Sequence, residues 1–445
     1  MIQAMSATTT AVDICVLGDG PVALLAVLSA RRQGLTVLHI TEQRSQGESA
    51  LPAQNYARNY ALSPASQAGL AALGVWGLLD SKRIQTCTQM RVAWEHQSQG
   101  LAFAIPPEWI HLDAVAAGVQ QLCSFVMESD LLQAIRTALN VVGAADSRVA
   151  YPSNARPVLV DTTVGVQITV NQHTYLAKLC VIAEGVNSPA AAALGLAPTV
   201  FDYQHTAVVT ELACALPSHI YEGCAWQWLG GTEDQDVLAL LPAPSVASDA
   251  ENLEKSHPDK LHRFSLVWSL PTAQAQNYVP NTPEAQRALL AAVNARCAAC
   301  VGELSLAGAV HSFPLSQAST RQLSAGHVVL LGDSAHKIHP LAGQGLNLGL
   351  EDVFTLFDVI ALREPWRDLA DARVLARYER RRRAAVGVVQ FVVHALARRH
   401  DWPLWFQQAV GFSLAAQSQF ASISVALRNT VVRRLSRGIT SELTP

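Results

Sequence analysis

Charge is scarce in this sequence. Of 445 residues only 15% are Asp, Glu, Lys or Arg, and 32 basic against 35 acidic side chains leave a net charge of −3. So weak a field gives no reason to expect a nucleic-acid partner. A cysteine framework is also missing. The eight cysteines (Cys15, Cys87, Cys123, Cys180, Cys214, Cys224, Cys297 and Cys300) are scattered through apolar or helical stretches. That pattern fits a reduced, cytoplasmic protein rather than a disulfide scaffold. The close pair Cys297 and Cys300 has no second pair to complete a tetrahedral zinc site, and it lies in a helical stretch around residues 285–304. It reads as two small apolar residues, and no metal is expected. Long hydrophobic runs are absent. The greasiest stretch, 384–397, is interrupted by Gln390 and His394 and falls short of the ~20 residues that cross a bilayer. Residues 1–12 lack a basic start followed by an apolar run and read as a polar lead-in.

Hydrophobic residues make up half of the chain. At this length that predicts two closely packed domains rather than one simple core. An apolar run at 12–17 reads as a strand, an Ala/Leu-rich stretch at 22–32 as a helix stopped by Gly34, and 36–40 as a second strand. Together they form a parallel βαβ unit. Residues 166–170 and 176–183 are β-like, and extended stretches at 208–241 and 264–270 predict a largely antiparallel sheet in a separate layer. The stretch 327–331 reads as a buried strand. Leu346, Leu350, Val353, Phe357 and Ile360 fall at helical spacing and predict a helix over 345–360 with one buried face. From 371 onward the pattern is helical, and 245–259 reads as a surface loop.

Between the first strand and helix stands Gly18-Asp19-Gly20-Pro21-Val22-Ala23, a dinucleotide fingerprint with Ala23 in the third small position. Gly18 permits a tight turn, Gly20 lets a pyrophosphate approach the backbone at a helix N-terminus, and Ala23 lets helix and strand lie close. An acidic residue about twenty positions on would take the ribose hydroxyls. Glu42 fits, although Thr41 stands at the expected point. The fingerprint alone leaves NAD and FAD open. A second motif discriminates: after the strand at 327–331 come Gly332-Asp333-Ser334-Ala335-His336, His339-Pro340, and Gly343-Gln344-Gly345-Leu346-Asn347 opening a helix. An Asp at a strand end can accept a hydrogen bond from a ribitol hydroxyl. A helix N-terminus aimed at a flavin pyrimidine would stabilise the negative charge of the reduced ring.

The stretch 330–353 resembles the class A flavin monooxygenases, in particular the ubiquinone-biosynthesis hydroxylases. The resemblance runs through residues 58–63, 73–76, 90–92, 203–209, 238–242 and 265–269. It implies an α/β fold like that of para-hydroxybenzoate hydroxylase: a Rossmann-type FAD-binding domain (11–75, 125–195 and 315–365), an interleaved, mostly antiparallel substrate domain (76–124 and 196–314) and a C-terminal helical region (366–445). It implies that Arg58 contacts FAD, that backbone groups of Gly343, Gln344, Gly345, Leu346 and Asn347 hold the pyrimidine end, and that Pro340, with His339 beside it, lies at the reactive edge. The implied activity hydroxylates an aromatic ring, most simply a prenylated phenol of quinone biosynthesis, with NAD(P)H and O₂ through a C4a-hydroperoxyflavin. A soluble phenolic substrate, a catalytically weak flavin-binding subunit of a quinone-synthesis complex, and a flavin halogenase or reductase remain as alternatives.

Two departures from the family pattern stand out. Residues 183–191 read Ala-Glu-Gly-Val-Asn-Ser-Pro-Ala-Ala, so Glu184 replaces an Asp of the family and Ala191 an arginine. Glu184 keeps a carboxylate for the cofactor, whereas the lost guanidinium removes a fixed cation from reaction with NAD(P)H. Ser129-Asp130 stands where Asn-Arg is usual. The pair His336 and His339 lacks a carboxylate partner in sequence and argues weakly for a metal. Trp226-Gln227-Trp228 reads as strand aromatics. The arginine run 380–383 is a solvated helix face or, with Arg433, Arg434 and Arg437, a contact for an anionic membrane surface such as the inner membrane.

Overall fold

The computed structural model describes residues 9–43, 58–94, 108–143, 147–152, 154–214, 223–230, 236–244 and 262–398. The N-terminal unit forms as predicted. β1 (Thr10–Leu17) ends in four consecutive buried residues, as a strand covered on both faces must. α1 (Pro21–Arg32) starts on Pro21, where the missing N–H costs nothing, and buries Ala23 through Ala30. β2 (Val37–Gln43) returns parallel to β1, with Leu17 opposite Ile40.

β3 (Asn59–Leu62) pairs antiparallel with Cys123–Met127, which also pairs with Gln85–Cys87 in a small three-stranded sheet. α2 (Glu128–Val142) follows, and Ser147–Pro152 then joins β2 in parallel. β4 (His173–Ile182) slots in parallel on the other side of β1. From the antiparallel edge strand Ser324–Ala325 the order is Val328–Leu330, β4, β1, β2 and Ser147–Pro152, these five parallel. The sheet is mixed rather than purely parallel, because a hairpin of Val158–Thr162 and Gly165–Val170 pairs antiparallel along β4.

The second sheet is built around β5 (Thr199–Cys214). It runs in the order His336–Lys337, His311–Ser319, β5, His262–Pro271, Val237–Ala243, Cys224–Leu229, Gln89–Trp94 and Glu108–Asp113. It is antiparallel except where Gln89–Trp94 lies parallel to Cys224–Leu229. The expected boundary at 315 cuts the strand His311–Ser319, which pairs with β5 from Val209 back to Thr199 and belongs to this sheet throughout. Helix Pro283–Val301 covers one face and buries Leu289, Val293, Cys297 and Val301. Cys297 is thus core packing. Trp226 and Trp228 stack at 6.2 Å with Trp109 edge-on to both, all in this second core, so the Trp-Gln-Trp stretch is strand aromatics.

α3 (Gly345–Ala361) and α4 (Ala372–Ala397) complete the described chain. The stretch 245–259, residues 399–445 of the expected helical region and Arg433–Arg437 lie outside the described residues. Among the described residues no helix is long and apolar enough to cross a membrane.

Candidate active site

The fingerprint and the second motif are more than three hundred residues apart, and the fold brings them into contact. Val22, on the first turn of α1, lies so close to Gly332 and Gly349 that a Cβ at those glycines would meet its methyls at 3.3 and 2.8 Å. Gly18 has φ +125°, and a Cβ there would stand 2.3 Å from the Ala183 carbonyl oxygen. No other residue fits at Gly18. A Cβ on Gly20 or Gly345 would meet nothing within 4 Å. Space therefore stands open at the N-termini of α1 and α3, where first-turn amides lack helical acceptors.

Asp333 follows Gly332, the glycine packed against Val22. Its side chain is exposed, yet desolvation by surrounding protein raises its carboxyl above the usual range, partly offset by His336, Lys337 and Arg58. A group that solvent reaches but protein crowds lines a cleft. Arg58 is in the same position: burial works against its charge, but Tyr60, Glu128 and Asp333 outweigh it and hold the guanidinium ionised. Tyr60 donates to Glu128 Oε1 at 2.8 Å, and Lys337 donates to Ser316 Oγ at 2.9 Å. The predicted residues Arg58 and Asp333 are thus brought together, and Lys337 joins them without having been singled out. Asp130, at the second departure, pairs with Arg83 at 2.8 Å.

The glycine loop is held from below by Asn347. Its Oδ1 accepts from Ser63 N at 2.9 Å and Ser66 Oγ at 2.8 Å, and its Nδ2 donates to Ala61 O at 2.8 Å. Asn347 is buried, so its side chain clamps β3 and the turn after it to α3 and is itself turned away from a ligand. Gly343, in the left-handed conformation, ends the short turn Pro340–Ala342. His339 caps that turn, its Nδ1 accepting from Leu341 N at 3.1 Å. This places it as a positioning group beside Pro340 rather than a base at Nδ1. His336 faces elsewhere, its Nε2 lying 2.7 Å from Asp352 Oδ2.

That contact belongs to a buried network behind the Gly332 turn. Asp352 Oδ2 also accepts from Gly332 N at 2.8 Å, and its Oδ1 accepts from Arg382 Nε at 2.6 Å. Arg382 further donates to Glu351 Oε2 and to the Leu348 carbonyl, both at 2.9 Å. Burial alone would raise the Asp352 carboxyl, but His336, Arg382 and the Gly332 amide hold it below the carboxylate range. The expectation for the arginine run is corrected here. Arg380, Arg381 and Arg383 are exposed, whereas Arg382 is fully buried. Its turn of the helix faces two acids that a short-range reading of a basic run does not see. Two adjacent acids inside the apolar stretch of α3 were the available signal.

Glu184 is occupied by its own loop. Its Oε2 accepts from Ser188 Oγ at 2.6 Å and from Ala190 N at 3.3 Å, and Ser188 Oγ caps Ala191 N at 3.0 Å. Ala191 is fully buried in the first core, where a guanidinium would have no water. The loop is tied to the second motif by Ser334, whose Oγ accepts from Gly185 N and donates to Gly185 O. Glu42 remains within β2 opposite Tyr151, on the sheet edge that carries Gly18 and Ala183. Burial, then Glu184 and Glu42, push the Tyr151 phenol up to about 12.

On the second sheet, Leu341 packs with Val92, Leu229 and Val237, and Gln227 donates to its carbonyl at 3.2 Å. Beside His339 opens a cavity of about 350 Å³, lined by Phe201, Tyr203, His205, Val237, Ser269 and Arg398 among others. Tyr203 stands edge-on to His339 at 4.9 Å and to Phe201 at 5.1 Å. Its hydroxyl contacts Gln317 Oε1 at 2.8 Å and His394 Nδ1 at 2.9 Å. Burial pushes its pKa up to about 12 despite Arg398, so the phenol is neutral near pH 7. His394 and Arg398 come from the end of α4, a partnership across nearly two hundred residues that no local pattern announces.

The profile of the FAD binding domain family matches residues 153–392, more than half of the chain. The chain belongs to this family. It is 25% identical over 399 residues to 3-demethoxyubiquinol 3-hydroxylase of Escherichia coli, covering 86% of this chain and 88% of that protein. It is 26% identical over 389 residues to ubiquinone hydroxylase UbiL of Rhodospirillum rubrum, covering 87% and 81%. The fold is shared with p-nitrophenol 4-monooxygenase PnpA of Pseudomonas putida, at a TM-score of 0.66 and 17% identity, covering 96% of this chain and 99% of that one. The protein is accordingly placed among the flavin-dependent monooxygenases, with FAD as cofactor. The residues present fit that group: there is room at Gly20 and Gly345, and the desolvated Asp333 carboxyl lies within electrostatic reach of an ionised Arg58.

Proposed function

We propose that the protein hydroxylates an aromatic ring, and that its substrate is a prenylated phenol of the kind processed in ubiquinone biosynthesis. The observation that carries this reading is the cavity lined by Phe201, Tyr203 and His339, the residue before Pro340. FAD, when bound and reduced by NAD(P)H, supplies the activation of O₂. This chain binds, orients and keeps water out. The α1 N-terminus would take the pyrophosphate, and Glu42 would accept from the adenosine ribose hydroxyls. Asp333 would accept from ribitol hydroxyls, Arg58 would lie along the same face, and main-chain groups of Gly343 through Asn347 would hold the pyrimidine end. The neutral Tyr203 hydroxyl offers a donor or acceptor to a phenolic oxygen, and Phe201 and Val237 give the ring an apolar wall.

An isoprenoid tail needs an apolar exit. Val388, Phe391 (75% exposed) and Val392 lie exposed on α4, one turn from His394, and Phe201 is exposed at the cavity. These side chains favour a tail-bearing substrate met at a lipid surface, which would make the enzyme a peripheral visitor to the membrane. The test is turnover of FAD-loaded enzyme with NADPH and isotopically heavy O₂, comparing a prenylated phenol with the same ring lacking the tail. The expected result is one heavy oxygen atom on the ring of the prenylated compound. Turnover of the tail-less phenol alone would overturn the substrate assignment, and NADPH oxidation unaffected by either phenol would overturn the hydroxylase reading.

A further inference from the structure

We infer that Arg382 and Tyr378 of α4 are positioning residues for the cofactor, setting the Gly332–His336 turn from behind although neither lines the cleft. The inference rests on FAD being held at that turn, not on which substrate is hydroxylated. Four bonds carry it. Tyr378 donates to Leu330 O at 3.1 Å, fixing the last residue of the strand that leads into the turn. Arg382 Nε holds Asp352 Oδ1, and Asp352 Oδ2 in turn accepts from both Gly332 N and His336 Nε2, one residue before Asp333 and three after it. Both residues are fully buried and stand one helical turn apart on α4, so a single helix face reaches both flanks of the turn.

The arrangement is over-determined. A carboxylate without exposure must receive donors, and Asp352 receives a guanidinium, an amide and an imidazole. Arg382 in turn is shared with Glu351 and with the Leu348 carbonyl. Gly332 has φ +59° and packs against Val22, so a shift of the turn would be felt at the α1 N-terminus as well. Removing the guanidinium would leave two buried acids facing each other, and the turn bonded to one of them would move. The network therefore couples seating of α4 to the geometry that Asp333 presents to the cofactor.

The experiment measures FAD affinity by flavin fluorescence on titrating cofactor-free protein, together with the thermal midpoint of that cofactor-free protein. Four variants are compared with wild type: Arg382→Met, Arg382→Lys, the Glu351→Gln/Asp352→Asn/Arg382→Met triple that removes all three charges, and Tyr378→Phe. Arg382→Met is expected to raise the FAD Kd at least tenfold, with partial recovery in Arg382→Lys. The uncharged triple leaves no buried acid unpaired and should keep a midpoint near wild type while still binding FAD at least tenfold more weakly. Tyr378→Phe removes one hydroxyl and no charge, folds in any case, and should raise Kd several-fold. FAD binding within twofold of wild type in Tyr378→Phe, or in a folded triple, would overturn the inference, because the network would then only support the fold. Wild-type protein that binds FAD but hydroxylates no phenol leaves the inference standing and removes the functional reading instead.

Discussion

The two ends of the cleft are built differently. At the cofactor end the side chains are used several times over: Asn347 makes three bonds of 2.8–2.9 Å that join β3 to α3, and Asp352 accepts three donors behind the Gly332 turn. At the proposed substrate end, aromatic rings meet edge-on around a cavity, the wall residue Phe201 is exposed, and hydrogen bonding centres on one phenol, Tyr203. A site that must hold one large cofactor in a fixed place is over-determined. A site that admits and releases substrate is lined by contacts that are individually weak.

Substitutions at the rigid end should therefore be severe. Gly18→Val places a side chain against the Ala183 carbonyl at a φ that valine avoids. Protein purified from this variant is expected to carry no FAD, as read from its absorbance. Asn347→Ala strands Ser63 N, the Ser66 hydroxyl and the Ala61 carbonyl, each a buried group worth about 1–3 kcal/mol when left unpaired. Denaturant unfolding should show a loss of about 3 kcal/mol or more. A loss under 1 kcal/mol would mean the clamp is slack and the contrast between the two ends is overstated.

Smaller effects sharpen the comparison. Desolvation raises the Asp333 carboxyl in the cofactor-free protein, so acid protonates it sooner than a free carboxylate. If it accepts from a ribitol hydroxyl, binding needs the carboxylate. FAD affinity should then hold at neutral pH and fall as acid passes through a value above the ordinary 3.8. Asp333→Asn should weaken FAD about tenfold, the worth of a hydrogen bond to a charged group, and should flatten that acid limb. Fluorescence titration across pH distinguishes the two profiles. At the loose end, Tyr203→Phe should leave FAD affinity unchanged, cost about 1–2 kcal/mol of unfolding free energy through the lost bonds to Gln317 and His394, and lower kcat/KM for a phenolic substrate by no more than about tenfold.

What the sequence disclosed follows the same division. The fingerprint Gly18-Asp19-Gly20 and the motif from Gly332 to Asn347 were legible because backbone geometry at a ligand tolerates only glycine or small residues at fixed spacing. Helical and strand periodicity located β1, α1, α3 and α4 for the same kind of reason. The partners of those motifs were not legible. Arg382 looks like its neighbours in a basic run until α3 sets Glu351 and Asp352 against it. Glu184 looks like a conservative stand-in for a cofactor ligand until Ser188 and Ala190 claim its carboxylate. Tyr203 meets His394 only when α4 returns to the end of β5. In each case the deciding contact is long-range, and burial chooses among side chains that look alike in one dimension.

The most direct test is the absorbance of protein purified without added cofactor, measured on wild type and on Gly18→Val. The account predicts flavin bands at close to one FAD per wild-type chain and none in the variant. A colourless wild-type protein that takes up no FAD on titration, or a variant that keeps its full complement, would contradict the meeting of the two motifs around one cofactor.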